Sequence, residues 1–521
     1  MAASVAEQIA LSGAGDADDA MSPHIRPALV GAFAALFLAL DIVAYHFPDG
    51  IAFAVVLLQA AVIVFAAILN ARMGLLFLTV SVLLAEDISR YREAAEAYGF
   101  TTLMSAPLLG VALGNWVALA VIVITLFFGL LRWLDKQEAL RFTGPDYAMM
   151  GVLLVYVVAS IHGYRHLLHD PRAALNDLNL PLMAAGLYLA VRVHFRDPAA
   201  LMRLFQCIIA AIAAKAVVWT VYYFLDMGQQ IGFSVWTSLE SGRPLVVLLL
   251  LFGLTLQQRH LPLRPGQRAF ALGIVLVAAF NLLVHITRMA WLEAAYGGLV
   301  LLILGRIGDK ARWILAGALA AVVVIGIVLV ARPNALYTIG YFASTLDVTD
   351  PDKVFGSHST MVRIHEFRNI TAQLWHNGRL LFGEGPGSSF TDSYYPFSMG
   401  LDPMSDYTWK EIQSRQFANA HGLLQNLLLN TGFGGMVAYL LCMLGVYVAC
   451  FRAFFRLSSP GLQAVTLALA AYLPSIIYDS WSPKNNMTLG ILLAIVAGLA
   501  AIARDERRAA AERAPGTDAS A

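Results

Sequence analysis

Long apolar runs separated by short polar links recur along almost the entire chain. They lie near residues 28–46, 51–70, 73–86, 108–131, 147–162, 178–194, 200–224, 244–257, 268–287, 289–305, 313–331, 422–450, 462–479 and 485–503. The runs are continuous and lack the apolar–polar alternation of a membrane β-barrel. Most are close to the ~20 residues that a helix needs to cross a bilayer. The pattern predicts an all-α polytopic membrane protein with about 12–14 transmembrane helices. The range comes from the short run 73–86 and from the indistinct start of 108–131 around Pro107.

Three polar regions interrupt this pattern. Residues 1–27 carry Asp16, Asp18 and Asp19, lack the basic start of a secretory signal, and read as a disordered tail. Residues 332–421 form the one soluble-sized insertion, rich in Tyr, Trp, Asp, Ser and Gly. A few helices are expected there, one near 359–378, with the whole loop packed over the membrane domain. Residues 504–521 form a second polar tail. The chain therefore divides into a tail (1–27), membrane helices (28–331), a loop (332–421), further membrane helices (422–503) and a tail (504–521). No internal repeat is evident, which weighs against a transporter built from two related halves.

Composition agrees with the pattern. The 521 residues are 59% hydrophobic and 13% charged, where a soluble domain has about 25%. The net charge of +1 points to no partner class, and no nucleic-acid partner is called for. Cys207, Cys442 and Cys450 all lie in apolar runs and define no disulfide framework. Basic residues do carry information. With fourteen spans, twenty of the 35 Lys and Arg fall on the side of both termini, seven in short links opposite and seven in the long loop. By the positive-inside rule both termini are cytoplasmic and residues 332–421 face outward.

Several residues can carry chemistry. His421 stands where the polar loop meets the apolar run Leu423–Leu429, at the outer water–lipid boundary and the start of a helix. A neutral imidazole there can take a proton from a sugar hydroxyl; a helix-start histidine bonded to nearby backbone has the same sequence. Arg288 lies in the stretch Ala269–Gly305, too long for one span, which predicts a hairpin turning near His285–Arg288. Its guanidinium either faces a wet cavity or an anion, or reaches up to headgroups. Arg243 precedes a short run that either thins the bilayer or starts below its surface; in the second case Arg243 opens into a cavity. Two outward arginines suit a pyrophosphate, because a planar guanidinium grips phosphate oxygens two at a time.

Lys215, well inside the run 200–224, is a third buried cation, or else is neutral or paired with an acid such as Glu293. The segment His162–Arg172, with Arg165, is basic on the side that should be poor in charge. It either holds the charged head of a lipid-linked substrate or is a solvated loop. In the long loop, Arg363-Ile-His-Glu366 and Leu381-Phe-Gly-Glu-Gly-Pro-Gly387 stand out. His365-Glu-Phe-Arg-Asn369 approaches a zinc-protease motif but has Asn where the second His must share the metal, and no other zinc spacing occurs. Gly383–Gly387 has a central proline and follows no strand, so it predicts a tight turn rather than a dinucleotide site. No metal or cofactor is called for.

At these residues the chain resembles the O-antigen ligase and O-antigen polymerase superfamily, over roughly residues 230–450. Thr287-Arg288-Met-Ala-Trp291 looks like the family's arginine-containing helix start. Ser359-Thr-Met-Val-Arg363, followed by Leu381–Gly387, looks like its loop signature. His421 with Leu423, Leu424, Gln425 and Gly432-Phe-Gly-Gly435 looks like its catalytic-histidine helix. The chain departs in having Gly422 where the family often has Asn, and Arg243 matches the family's upstream arginine only loosely.

The resemblance implies a GT-C-like, metal-independent inverting glycosyltransferase in the bacterial inner membrane, with 332–421 as a periplasmic loop. Its donor is an undecaprenyl-pyrophosphate-linked glycan, reached through membrane lipid. Arg288 and Arg243 hold the pyrophosphate, His421 deprotonates the acceptor hydroxyl, and Arg363 helps shape the mouth. The acceptor is another glycan (polymerase), or lipid A-core or a protein (ligase). A transporter or flippase of lipid-linked sugars is the alternative from another class.

Overall fold

The computed structural model describes residues 27–46, 49–85, 103–104, 106–108, 111–136, 142–165, 174–175, 177–224, 243–258, 261–284, 288–331, 358–397, 407, 409–418, 420, 422–479 and 483–513. Each predicted apolar run forms a helix. The N-terminal part holds α1 (Pro27–His46), α2 (Asp49–Leu69), α3 (Ala71–Leu84), α4 (Leu113–Lys136) and α5 (Gly144–His162). A π-helical turn, Leu180–Ala184, leads into α6 (Ala185–His194), followed by α7 (Pro198–Phe224), α8 (Arg243–Thr255), α9 (Pro265–Val284), α10 (Arg288–Leu304) and α11 (Ile307–Ala331). The loop contributes α12 (His358–His376) and α13 (Trp409–Ser414), and the chain returns through α14 (Leu423–Arg456), α15 (Pro460–Asp479) and α16 (Pro483–Arg513). Among the described residues, strands are confined to two short antiparallel pairs, Pro107–Leu108 with Val111–Ala112 and Phe390–Thr391 with Gln416–Phe417.

The chain is an all-α multi-pass membrane protein. Among the described residues, nine helices are long and apolar enough to cross a bilayer, and shorter apolar helices such as Ala71–Leu84 and Leu245–Thr255 pack among them. The run expected from 108 starts its helix at Leu113 instead, because the strand pair around Pro107 takes up the residues before it. The short run is a true helix, Ala71–Leu84, because Asn70 caps it by accepting from the N–H groups of Arg72 and Met73. The helix of α16 continues through Arg513 rather than ending near 503. Its Ala, Arg and Glu are strong helix formers.

The most buried of the nine spanning helices is α16. From Asn485 to Leu499 nearly every residue is buried, with α6, α14 and α15 packed around it. Gly490 rests directly on the backbone of Ala184 in the π-helical turn, which a larger residue would push away.

At the end of the bundle where α5 begins, Arg192 of α6 grips Asp146 with Nε and Nη2, both at 3.1 Å. Tyr188 and Thr143 also donate to that carboxylate, each at 2.6 Å. Both ionic side chains are about 95% buried, so the pair is tolerable only because every oxygen is bonded. Removing one partner strands the other charge. Asp146→Ala is expected to destabilise the protein by about 3–5 kcal/mol, read as a lower melting temperature in detergent; an unchanged melt would mean that water reaches Arg192.

Candidate functional site

The helix that follows His421 is not one straight rod. Its 34 residues amount to about 51 Å of helix, far more than the ~30 Å hydrocarbon core requires. It breaks at Gly432, whose φ of 68° and ψ of −176° are not helical. Before the break, Leu428 and Leu429 join Val362, Ile370, Leu374, Phe390 and Phe417 of the loop in one apolar cluster, while Leu423 and Leu427 pack into the core of the bundle.

A break exposes backbone groups that need partners. The glycine turn predicted at Gly383–Gly387 supplies them. Glu384 N–H donates to Leu429 O (2.8 Å) and Gly385 N–H to Asn430 O (3.1 Å). In return Phe433 N–H donates to Leu380 O (2.8 Å) and Gly434 N–H to Leu381 O (3.1 Å). The fit is close enough that Gly383, at φ +74°, lies against the backbone of Thr431 and Gly432. Gly385 meets Gly163 at the end of α5, and Phe382 stacks on His162 at 4.4 Å. Loop turn, broken helix and α5 end thus meet at one level, here named the loop end of the bundle.

Polar side chains surround this clamp. Glu384 is buried, paired with Arg379 at 3.2 Å and bonded by Asn377 at 2.6 Å, so its role is structural. Asp177, just before the π-helical turn, accepts the Gly387 N–H on Oδ2 at 2.7 Å. The Asn430 carboxamide, with its nitrogen toward the turn, donates to the same oxygen at 3.3 Å and lies 3.2 Å from Ser388 Oγ. Burial pushes the Asp177 carboxyl up to about 7, against the opposing pull of those two hydrogen bonds.

The predicted arginines occupy matching positions. Arg288 is the first residue of α10 and Arg243 the first of α8. The turn expected near His285–Arg288 falls largely on residues 285–287, outside the described residues; α9 ends at Val284, α10 starts at Arg288, and Trp291 Nε1 donates to Leu282 O at 2.9 Å. Helices α8 and α10 touch where Gly297 meets Leu251, eight residues on from Arg243 and nine on from Arg288.

Tyr296 of α10 and Tyr447 of α14 share a hydrogen bond at 2.8 Å. Helix α8 has 13 residues and α10 has 17, about 20 and 26 Å, both short of a full crossing. Each opens with arginine at the positive end of its helix dipole.

The other expected residues are dispersed. Lys215 is buried in α7, with Nζ 3.4 Å from the carbonyl oxygens of Leu83 and Ala85 at the end of α3. A cation there complements the negative pole of that helix. Arg165 is exposed beside the α5 end, its Nε 3.4 Å from Tyr164 Oη. Arg363 is half-buried on α12 and has no hydrogen-bond partner among the described residues. Glu366 and Asn369 of the near-zinc motif hold Tyr407 and Tyr395. His421 and residues 166–173 lie outside the described residues, as do the side chains of Arg243 and Arg288.

Asp177 and Asn430 did not stand out from the sequence. The available signal was a polar group, Asn176-Asp177, immediately before an apolar run, and a polar pair, Asn430-Thr431, inside another just ahead of Gly432. No family model matches the chain, and no curated protein matches it.

Proposed function

We propose that the protein is a glycosyltransferase of the O-antigen ligase and polymerase type, GT-C-like, in the bacterial inner membrane. It moves an undecaprenyl-pyrophosphate-linked glycan onto an acceptor hydroxyl at the periplasmic face, most simply as a polymerase of a surface polysaccharide. What supports this reading is that two short, touching helices, α8 and α10, each open with an arginine, Arg243 and Arg288. A lipid pyrophosphate lies near a membrane surface, and in this reading the two helix N-termini meet it with backbone N–H groups and positive charge.

In this mechanism the two arginines grip the pyrophosphate and offset the charge that grows on it as the sugar leaves. His421 orients the acceptor hydroxyl and removes its proton. The clamp at Gly432 fixes the start of the helix that follows His421, and Arg165 and Arg363 contribute positive charge on the loop side.

Broken helices also occur in transporters, where free backbone groups line a path. Here the groups on both sides of the break are bonded to the turn, which favours a fixed scaffold over a moving gate. The deciding experiment is the purified protein supplied with lipid-linked repeat units, with and without lipid A-core. A ladder of longer donor-linked chains supports polymerase, a product on lipid A-core supports ligase, and no product from either sinks the reading. Arg288→Lys keeps the charge but loses the planar fork. It is expected to lower kcat/KM for the donor about tenfold or more, and wild-type turnover would reassign Arg288 to headgroup anchoring.

A further inference from the structure

The turn that clamps the helix break carries two apolar side chains on its outer side. Leu381 is 58% exposed and Phe382 41%, although residues 383–386 beside them are buried. Both are fixed in place. The Leu381 carbonyl accepts the Gly434 N–H at 3.1 Å and its side chain lies against Gly434, while Phe382 stacks on His162 at 4.4 Å. Two adjacent large apolar side chains held outward on a fixed turn gain only if something takes them out of water.

Two lengths set the level at which they stand. Helix α5 has 19 residues, about 28 Å, and Phe382 meets its last residue, His162. In α14, residues 433–451 carry no charge and lead to Arg452; they also span about 28 Å, and Leu381 meets them at Gly434. Each length is close to the ~30 Å of a bilayer's hydrocarbon core. Helices α5 and α14 pack on each other, and the turn stands at the end of both crossings, at the edge of the hydrocarbon. The surface leading up to it is apolar and exposed. On α5 and just past its end, Val157, Ile161 and Tyr164 follow helical spacing, as do Phe433, Val437 and Leu441 on α14. Phe382 sits on the residue after Ile161, and Leu381 on the residue after Phe433, so the turn continues both stripes.

We infer that Leu381 and Phe382 insert into the acyl-chain region of the leaflet on the loop side, so that the long loop is anchored in lipid through this turn. The occupant is bilayer lipid, because the turn prolongs a surface that a multi-pass bundle already presents to acyl chains. Apolar and aromatic side chains at this level hold a protein to the membrane interface. The anchor does not depend on the glycosyl-transfer reading.

The test places a nitroxide at Leu381→Cys, with Ser393→Cys, an exposed polar position of the same loop, as reference. The full-length protein, with Cys207, Cys442 and Cys450 replaced by alanine, is studied in lipid nanodiscs. Oxygen, which concentrates in lipid, is expected to relax the Leu381 label more strongly than the Ser393 label, and a water-soluble nickel chelate less strongly. Nickel access at Leu381 equal to that at Ser393 overturns the anchor, since the turn would then stand in water. Low access of both reagents at Leu381 overturns it too, since a protein surface, such as a second copy of the chain, would then cover the turn. Phe382→Trp in the chain with its cysteines intact gives an independent reading. Its added emission is expected to be quenched by lipids brominated near the headgroup end of the acyl chain, and unquenched emission overturns the anchor.

Discussion

Replacing His421 with alanine is expected to slow glycan transfer by about 10²–10⁴-fold. An acceptor hydroxyl is a weak nucleophile until its proton begins to leave, and His421 stands where the loop 332–421 meets the apolar run that follows it. The effect should fall on kcat. In the proposed mechanism donor binding falls to the arginines, so it should be kept, as should insertion and melting temperature. The measurement is single-turnover transfer from a radiolabelled lipid-linked donor, with donor binding recorded on the same preparation. Transfer at the wild-type rate would remove the base assignment. Loss of donor binding together with turnover would mean that the histidine shapes the site instead of acting in it.

Gly432→Ala is expected to be strongly destabilising for a change of a single methyl group. The backbone angles at Gly432 lie in a region open essentially to glycine alone. An added Cβ would also come within 2.5 Å of Gly383 N and of Leu381 C. Strain and overpacking each cost about 1–3 kcal/mol, so a loss of about 2–6 kcal/mol is expected. Gly445, farther along the same helix, is the control. Nothing lies within 4 Å of an added Cβ there, and alanine is the better helix former. Gly445→Ala should therefore leave the melting temperature level or slightly higher while Gly432→Ala lowers it sharply. Equal melting of the two variants would show that the break is not held against the loop turn.

The helices were legible because a bilayer demands long apolar runs, and such runs announce themselves whatever they pack against. The break in α14 was not. Gly432-Phe-Gly-Gly435 interrupts the run with residues that also occur inside continuous helices, and its partner turn lies far back in the chain. The turn itself could be read from Gly383–Gly387, since clustered glycines around a proline fit little else, but nothing local says what it grips. Arg192 shows the same limit. At the edge of a run it reads as a solvent-facing positive charge, yet the fold buries it on Asp146, a partner with no local marker. For the site, the two arginine helix starts were legible from the short run after Arg243 and the overlong stretch around Arg288. Asp177 was missed because a single acid at the edge of a run looks solvated until the glycine turn arrives over it.

One consequence of the burial of α16 concerns how the bundle is made. The helix that fills the middle is also the last of the described helices to leave the ribosome. Until it inserts, its neighbours enclose an unfilled space that must hold lipid or collapse, and the Gly490 contact with the π-helical turn cannot form. Biogenesis thus has a late commitment step, at which a nascent chain halted before Pro483 offers membrane quality control a hollow, poorly knit bundle.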